Sequence, residues 1–266
     1  SNKDGELKGI SMLTHSLLDE GTSKMDAESI ATVFESNGSV FNTSVNKDKS
    51  SISLRSLTEK KYLNPSIKMF LSILSDSVFP TNEMQLQKDR TVTSIAEDET
   101  DVAEIASNLF FKEIYGDYPY ANTTIGQKNT VKKITRKNIL NFYKKNINVD
   151  NASIVIVSSL TKKEVIDISE KISKSLNSDK QEFYKDKVLS KINKEKYIYK
   201  KFSSKQAHIY IGGLSIERGS KNHLPLYVGN YIFGGSGFSA RLMQELRVKR
   251  GLTYGVYSYI HPMKNT

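Results

Sequence analysis

FGGSGFSARLMQELRVKRGLTYGVY, residues 233–257, is the most specific stretch of the chain. Gly234, Gly235 and Gly237 mark a tight turn beside Ser236. Ser239 to Arg250 then has the spacing of a helix, with Arg247, Lys249 and Arg250 placed to complement its C-terminal dipole and Gly251 to cap it. Tyr254 opens a β-prone run that reaches Ile260. One reading of these residues is purely structural: a capped helix followed by a tyrosine packed in a sheet. Another is chemical, because a guanidinium and a phenol both donate hydrogen bonds and both stabilise charge developing on an oxygen. A glycine-rich turn that leads into a helix is also one way of cradling phosphate.

On the N-terminal side of this stretch, the pattern predicts strands at Tyr197–Phe202 and His208–Leu214 and a helix at Leu224–Phe233. Residues 177–194 are polar and Lys-rich with little periodicity, and they read as a linker between domains at 1–176 and 195–266. The first domain opens with two amphipathic helices, Leu7–Asp19 and a second capped by Asp26. An antiparallel hairpin follows, Val40–Val45 and Ser51–Leu57 around the polar turn 46–49. Further helices are predicted from Pro65, which would start one, then at Asn82–Ala96, Thr100–Tyr115 and Thr135–Lys145. Ala152–Ser158 is a β-branched run suited to a buried strand, and Thr161 with Glu164 forms a capping box for the helix after it. Strands and helices without regular βαβ spacing give an α+β class. Two related domains are expected, each an antiparallel sheet packed with helices.

The 266 residues, 38% of them hydrophobic, are enough for a core in each domain. The longest apolar runs are strand-sized, such as Ile154 to Val157, so membrane insertion is not expected. The absence of cysteine excludes disulfides, thiolate metal sites and cysteine nucleophiles. The net charge of +10 comes mainly from lysines strewn among Asn, Ser and Ile, which is the pattern of a solvated surface, and no nucleic-acid-binding module accompanies it. Nucleic acid is therefore not an expected partner.

The stretch 233–257 is similar to the substrate-gripping segment of the insulinase/pitrilysin/processing-peptidase superfamily. Its pattern is a Gly-rich turn, a Ser-x-Arg-Leu helix, an Arg, and then Gly-Leu-x-Tyr. The order of Gly21-Thr22, Asn37-Gly38, Tyr118-Pro119-Tyr120, Gly126, Ile134-Thr135 and Val155-Ile156-Val157 also resembles the family, so the likeness covers most of the chain. It implies that the family's opening strands are missing before Gly5 and that the second domain is cut short after Thr266. It also implies that Arg247 and Tyr254 bind the substrate backbone and stabilise the carbonyl oxygen under attack, with Gly234, Gly235 and Gly237 meeting the substrate.

Active members of that family carry H-x-x-E-H on a helix, two His ligands for zinc and a Glu base. The flanks Gly9-Ile10 and Gly21-Thr22 place Met12 and Ser16 at the ligand positions and His15 at the base. The third ligand, a Glu, would fall in residues 91–95, which hold no carboxylate; Glu97 and Glu99 lie just beyond. His208, His223 and His261 show no ligand spacing. The resemblance thus implies no cofactor in this chain and a zinc-bearing homologous subunit as partner, with an extended peptide as substrate. The rival within the same family is a structural or binding member without proteolysis. Bacterial pairs of this kind are often exported, which points to the periplasm, with the cytoplasm as alternative.

Overall fold

The computed structural model describes residues 3–178 and 195–264. Residues 179–194, most of the expected linker, lie outside the described residues. Two compact units are distinguished, one formed by residues 3–178 with 199–210 and the other by 195–198 with 211–264.

The first unit is built around helix α1 (Ile10–His15). It begins after Gly9, whose N–H donates to Asp4 Oδ2 at 3.0 Å. The spacing predicts a helix to Asp19, but the regular turns stop at His15. There the backbone tightens, with Leu17 N–H on the Thr14 carbonyl and Leu18 N–H on that of His15. Helix α2 (Ala27–Ser36) starts where Asp26 Oδ1 accepts the Ser29 N–H at 2.9 Å, as the sequence predicts. Strands β1 (Val40–Val45) and β2 (Ser50–Arg55) pair antiparallel with Thr43 opposite Ile52. Asn46 Oδ1 closes their turn by accepting the N–H groups of Asp48 and Lys49, both at 2.9 Å.

Helix α3 (Lys60–Asp76) contains Pro65 instead of starting there. Proline cannot donate to the carbonyl one turn back, and apolar burial on Met69, Phe70, Ile73 and Leu74 holds the helix across that gap. Helices α4 (Thr81–Asp98), α5 (Val102–Tyr115), α6 (Lys128–Lys133) and α7 (Arg136–Asn146) follow. The buried Lys88 of α4 donates to the carbonyls of Lys132 and Ile134 at 2.9 and 2.8 Å, placing a cation on the C-terminus of α6. Helix α8 (Lys162–Ser175) carries the predicted capping box of Thr161 and Glu164. The core joins Ile10, Leu13, Leu17 and Leu18 to Ile30 and Phe34 of α2, Ile73 of α3 and Ile139 of α7. Phe79 is fully buried at a left-handed φ of 52°. Its ring meets Tyr143 edge-on at 5.3 Å, and Arg136 Nε donates to its carbonyl at 2.9 Å.

The α+β class holds, with a helix-rich unit and a small antiparallel sheet. Several predicted strands do not form. Ala152–Ser158 is extended but joins no ladder among the described residues, and Val155 and Val157 are 83% and 94% exposed. A groove of about 850 Å³ lies alongside it, lined by Ile52 and Leu54 of β2, Phe70 of α3 and Ile168 of α8. Tyr197–Phe202, His208–Leu214 and Tyr254–Ile260 are likewise unpaired. A β-branched, apolar run favours extension, but a strand also needs a neighbour for its backbone groups. Among the described residues, β1 and β2, joined by a short turn, supply each other with one.

Gly9 and Gly126 meet at a close backbone crossing, both left-handed at φ 96° and 91°. A Cβ on Gly126 would stand 2.7 Å from Gly9 Cα, and one on Gly9 2.6 Å from the Ile125 carbonyl oxygen. Gly116 also has positive φ, at 53°, but open space around it. Urea unfolding should therefore separate conformation from crowding. Gly116→Ala is expected to lose about 1 kcal/mol, and Gly126→Ala clearly more than that. Equal losses would show that the crossing relaxes around a methyl group.

Candidate functional site

In the second unit, helix α9 (His223–Asn230) runs into a π-helical turn, Tyr231–Gly235, where the pattern predicts continuous helix to Phe233. A 3₁₀ turn at Gly237–Ser239 follows, and the predicted helix after it is π-wound over Met243–Val248. Ala240 and Met243, both fully buried, anchor it. Its end is capped at the predicted glycine by nested bonds, each one residue wider than in a Schellman motif: left-handed Gly251 donates its N–H to the Arg247 carbonyl at 3.0 Å, and Leu252 N–H to that of Leu246 at 2.9 Å. π-Helical turns are often found at functional sites.

The structure brings Arg247 and Tyr254 together. The guanidinium carbon is 4.6 Å from the centre of the Tyr254 ring and 4.8 Å from that of Phe238. Both distances are within cation–π range. Tyr254 is 87% exposed rather than packed in a sheet, and Phe238 is 65% exposed. Glu245, the nearby carboxylate on the same segment, is engaged by Lys249 and, at 3.9 Å, by Arg250. The Lys249 bond holds its carboxyl below the usual range. Arg247 is left half-buried, with no hydrogen bond or ion pair among the described residues. The result is a cation with in-plane N–H donors and a phenol beside it, suited to holding a carbonyl or carboxylate oxygen.

The glycines of the turn serve different ends. Gly234 is buried against Ser258, whose N–H donates to its carbonyl at 3.3 Å, and a Cβ on Gly234 would stand 2.7 Å from that nitrogen. Gly235 faces Asn230, where a Cβ would be 2.9 Å from Nδ2. Gly237 has open space around it and a left-handed φ of 67°, so conformation alone calls for glycine there. Of the three, Gly237 adjoins Phe238 and so the Arg247 cluster. Sequence reasoning passed over Phe238 and Gln244, because nothing in an apolar spacing announces a ring that stacks on a cation.

In the first unit, the α1 positions do not fit zinc. Met12 offers a thioether, and the Ser16 hydroxyl donates to the Leu13 carbonyl at 3.1 Å. His15 is 2% exposed and bonds through Nδ1 to the Ser11 carbonyl at 2.8 Å, which makes Nδ1 the protonated nitrogen. Its Nε2 is buried without a hydrogen-bond partner. In α4, Thr91 and Ile95 are packed inside, while Glu99 pairs with Lys128. Among the described residues no group of three His, Cys, Asp or Glu side chains could hold a metal ion.

Fold and site together define an α+β chain whose helix α1 is built into the core and which, among the described residues, has no group of side chains able to hold a metal. Residues 2–128 match the family described as Insulinase (Peptidase family M16), and residues 133–266 match the Peptidase M16 inactive domain. The chain belongs to the insulinase family, peptidase M16. It is similar to the "Uncharacterized zinc protease YmxG" of Bacillus subtilis, 25% identical over 96% of this chain and 60% of the relative. It is equally similar to the "Non-peptidase homolog YmxG" of Helicobacter pylori, 25% identical over 97% of this chain and 59% of the relative. A crystal structure of a peptidase M16 inactive domain from Pseudomonas fluorescens superposes with a TM-score of 0.88 at 29% identity, covering 98% of this chain and 63% of that one. The chain thus spans about 60% of the length of these relatives.

The buried imidazole makes stability pH-dependent. Burial is the main cause that pushes the His15 pKa down, and it outweighs the Ser11 carbonyl and the Asp4 charge. The unfolded imidazole titrates near ~6.5, so protons favour the unfolded chain. Its contribution is complete above that pH and is lost as pH falls toward the folded value. Between pH 7 and 5 the urea midpoint of the parent chain should fall more steeply than that of His15→Gln. Parallel slopes would mean that His15 charges without leaving its site.

Proposed function

We propose that this chain is the non-catalytic, substrate-gripping subunit of a zinc metallopeptidase pair. Arg247 and Tyr254 hold the backbone of an extended peptide, and a homologous subunit supplies the zinc. The observation that carries this reading is the Arg247 guanidinium, without an ion pair or hydrogen bond among the described residues, 4.6 Å from the exposed Tyr254 ring. An element kept only for folding would pair or bury such groups; here both remain available to a ligand. The α1 residues supply neither the ligands nor the base for metal-assisted hydrolysis, so the chemistry falls to the partner. An extended peptide needs only backbone hydrogen bonds to be held, which suits donors without side-chain selectivity. The proposed compartment is the periplasm.

A second reading is a structural or binding member of the family that has lost proteolysis entirely. The naming of the Helicobacter pylori relative as a non-peptidase homologue favours it.

Peptide hydrolysis by the full chain, by a zinc-bearing homologue encoded beside it and by their mixture separates the two. The gripping role predicts activity in the mixture alone, with kcat/KM lowered about a hundredfold by Arg247→Ala and about tenfold or more by Tyr254→Phe, in keeping with the loss of a donor to a developing oxyanion. A competent homologue that gains nothing from this chain would leave the structural reading standing.

A further inference from the structure

The turn between the two π-helical segments is built to deliver one side chain, Phe238. Gly237 adopts the left-handed conformation just before it. Ser239 Oγ bonds back to the Ser236 carbonyl at 3.2 Å. Gln244 Nε2 donates to the Phe238 carbonyl at 2.7 Å and so ties this residue to the segment that carries Arg247. The Gly237 conformation and these two hydrogen bonds fix the backbone on either side of a phenylalanine that is 65% exposed. Such exposure is a poor use of an aromatic ring for core stability. What the ring does meet is the guanidinium of Arg247, 4.8 Å from its centre.

An arginine on a flexible stem samples many rotamers, and each hydrogen bond it makes to a ligand must first restrict them. With Glu245 engaged elsewhere, no carboxylate among the described residues steers Arg247; the two rings are the groups that meet it. Cation–π attraction leaves every N–H donor of the guanidinium free for an acceptor. A salt bridge would have occupied them.

We infer that Phe238 is a positioning residue of this site, holding the Arg247 guanidinium ready for the backbone carbonyl of an extended peptide. The inference rests on the reading of Arg247 and Tyr254 as the gripping pair. The ring acts on the ligand through Arg247, and the demand is for an aromatic face rather than for apolar volume.

The test uses the full chain and fluorescein-labelled β-casein as an unfolded polypeptide probe, with affinity read by anisotropy. Phe238→Leu keeps the bulk without the ring and should weaken binding about fivefold, whereas Phe238→Tyr should stay within about twofold. Arg247→Ala should weaken it about tenfold or more. In the absence of probe, the Arg247 Nε–H resonance should carry a ring-current shift that Phe238→Leu changes and Phe238→Tyr keeps. Unaltered affinity in Arg247→Ala sinks the grip itself. Weakened binding in Arg247→Ala, together with parental affinity or an unmoved Nε–H resonance in Phe238→Leu, leaves the grip intact and overturns the role of Phe238.

Discussion

Helix α1 is six residues long, too short to persist in water on its own hydrogen bonds. It exists because Ile10 and Leu13, with Leu17 and Leu18 just beyond, are buried in one core cluster with residues of α2, α3 and α7. The neighbouring elements are fitted around it. Gly9 allows the backbone of residues 125–126 to pass within contact distance of its start, and the Thr43 hydroxyl of β1 donates to the His15 carbonyl at its end. A helix held this way has little freedom to rotate a face toward solvent. Its polar side chains must satisfy themselves inside, as His15 does with Nδ1 on the Ser11 carbonyl.

This burial bears directly on chemistry. A metal helix needs two imidazoles and a carboxylate turned toward an open site, which requires keeping several polar groups at the edge of a core. Here a thioether, a back-bonded hydroxyl and a neutral, buried imidazole stand at those positions, all compatible with packing and none with a divalent cation. Apolar contact determines where α1 lies, so its packing does not depend on a metal.

The sequence was most informative where the determinants are local. Asp26 and the pair of Thr161 and Glu164 announce helix starts through bonds three residues long, and Asn46 announces the hairpin turn in the same way. Gly251 was legible as a cap because its left-handed conformation follows from the helix before it. Partnership was not legible. Val155 and Val157 have the composition of a buried strand and stand in solvent, since composition states a preference for extension and says nothing about which edge is near. The two π-helical turns were equally hidden, because an extra residue in a turn disturbs an apolar spacing no more than ordinary irregularity does. In the site, resemblance named Arg247 and Tyr254, and their proximity in the fold is an independent observation. Phe238 and Gln244 come from the structure alone.

The surroundings of Arg247 are uneconomical for a structural arginine. In a strongly basic chain, an arginine that only stabilises its own helix is best placed where it faces a carboxylate or the last carbonyls of that helix. Lys249 and Arg250 do the former with Glu245, and the N–H groups of Gly251 and Leu252 cap the carbonyls. Arg247 is excluded from both tasks and set between exposed aromatic rings, an arrangement that orients a cation while leaving its donors free. Donors held in place without an internal acceptor bind an external one with little reorganisation, and that is the physical content of preorganisation in both binding and catalysis. A chain whose α1 offers no metal-ligand set can therefore still contribute to a reaction, provided that what it contributes is position and charge.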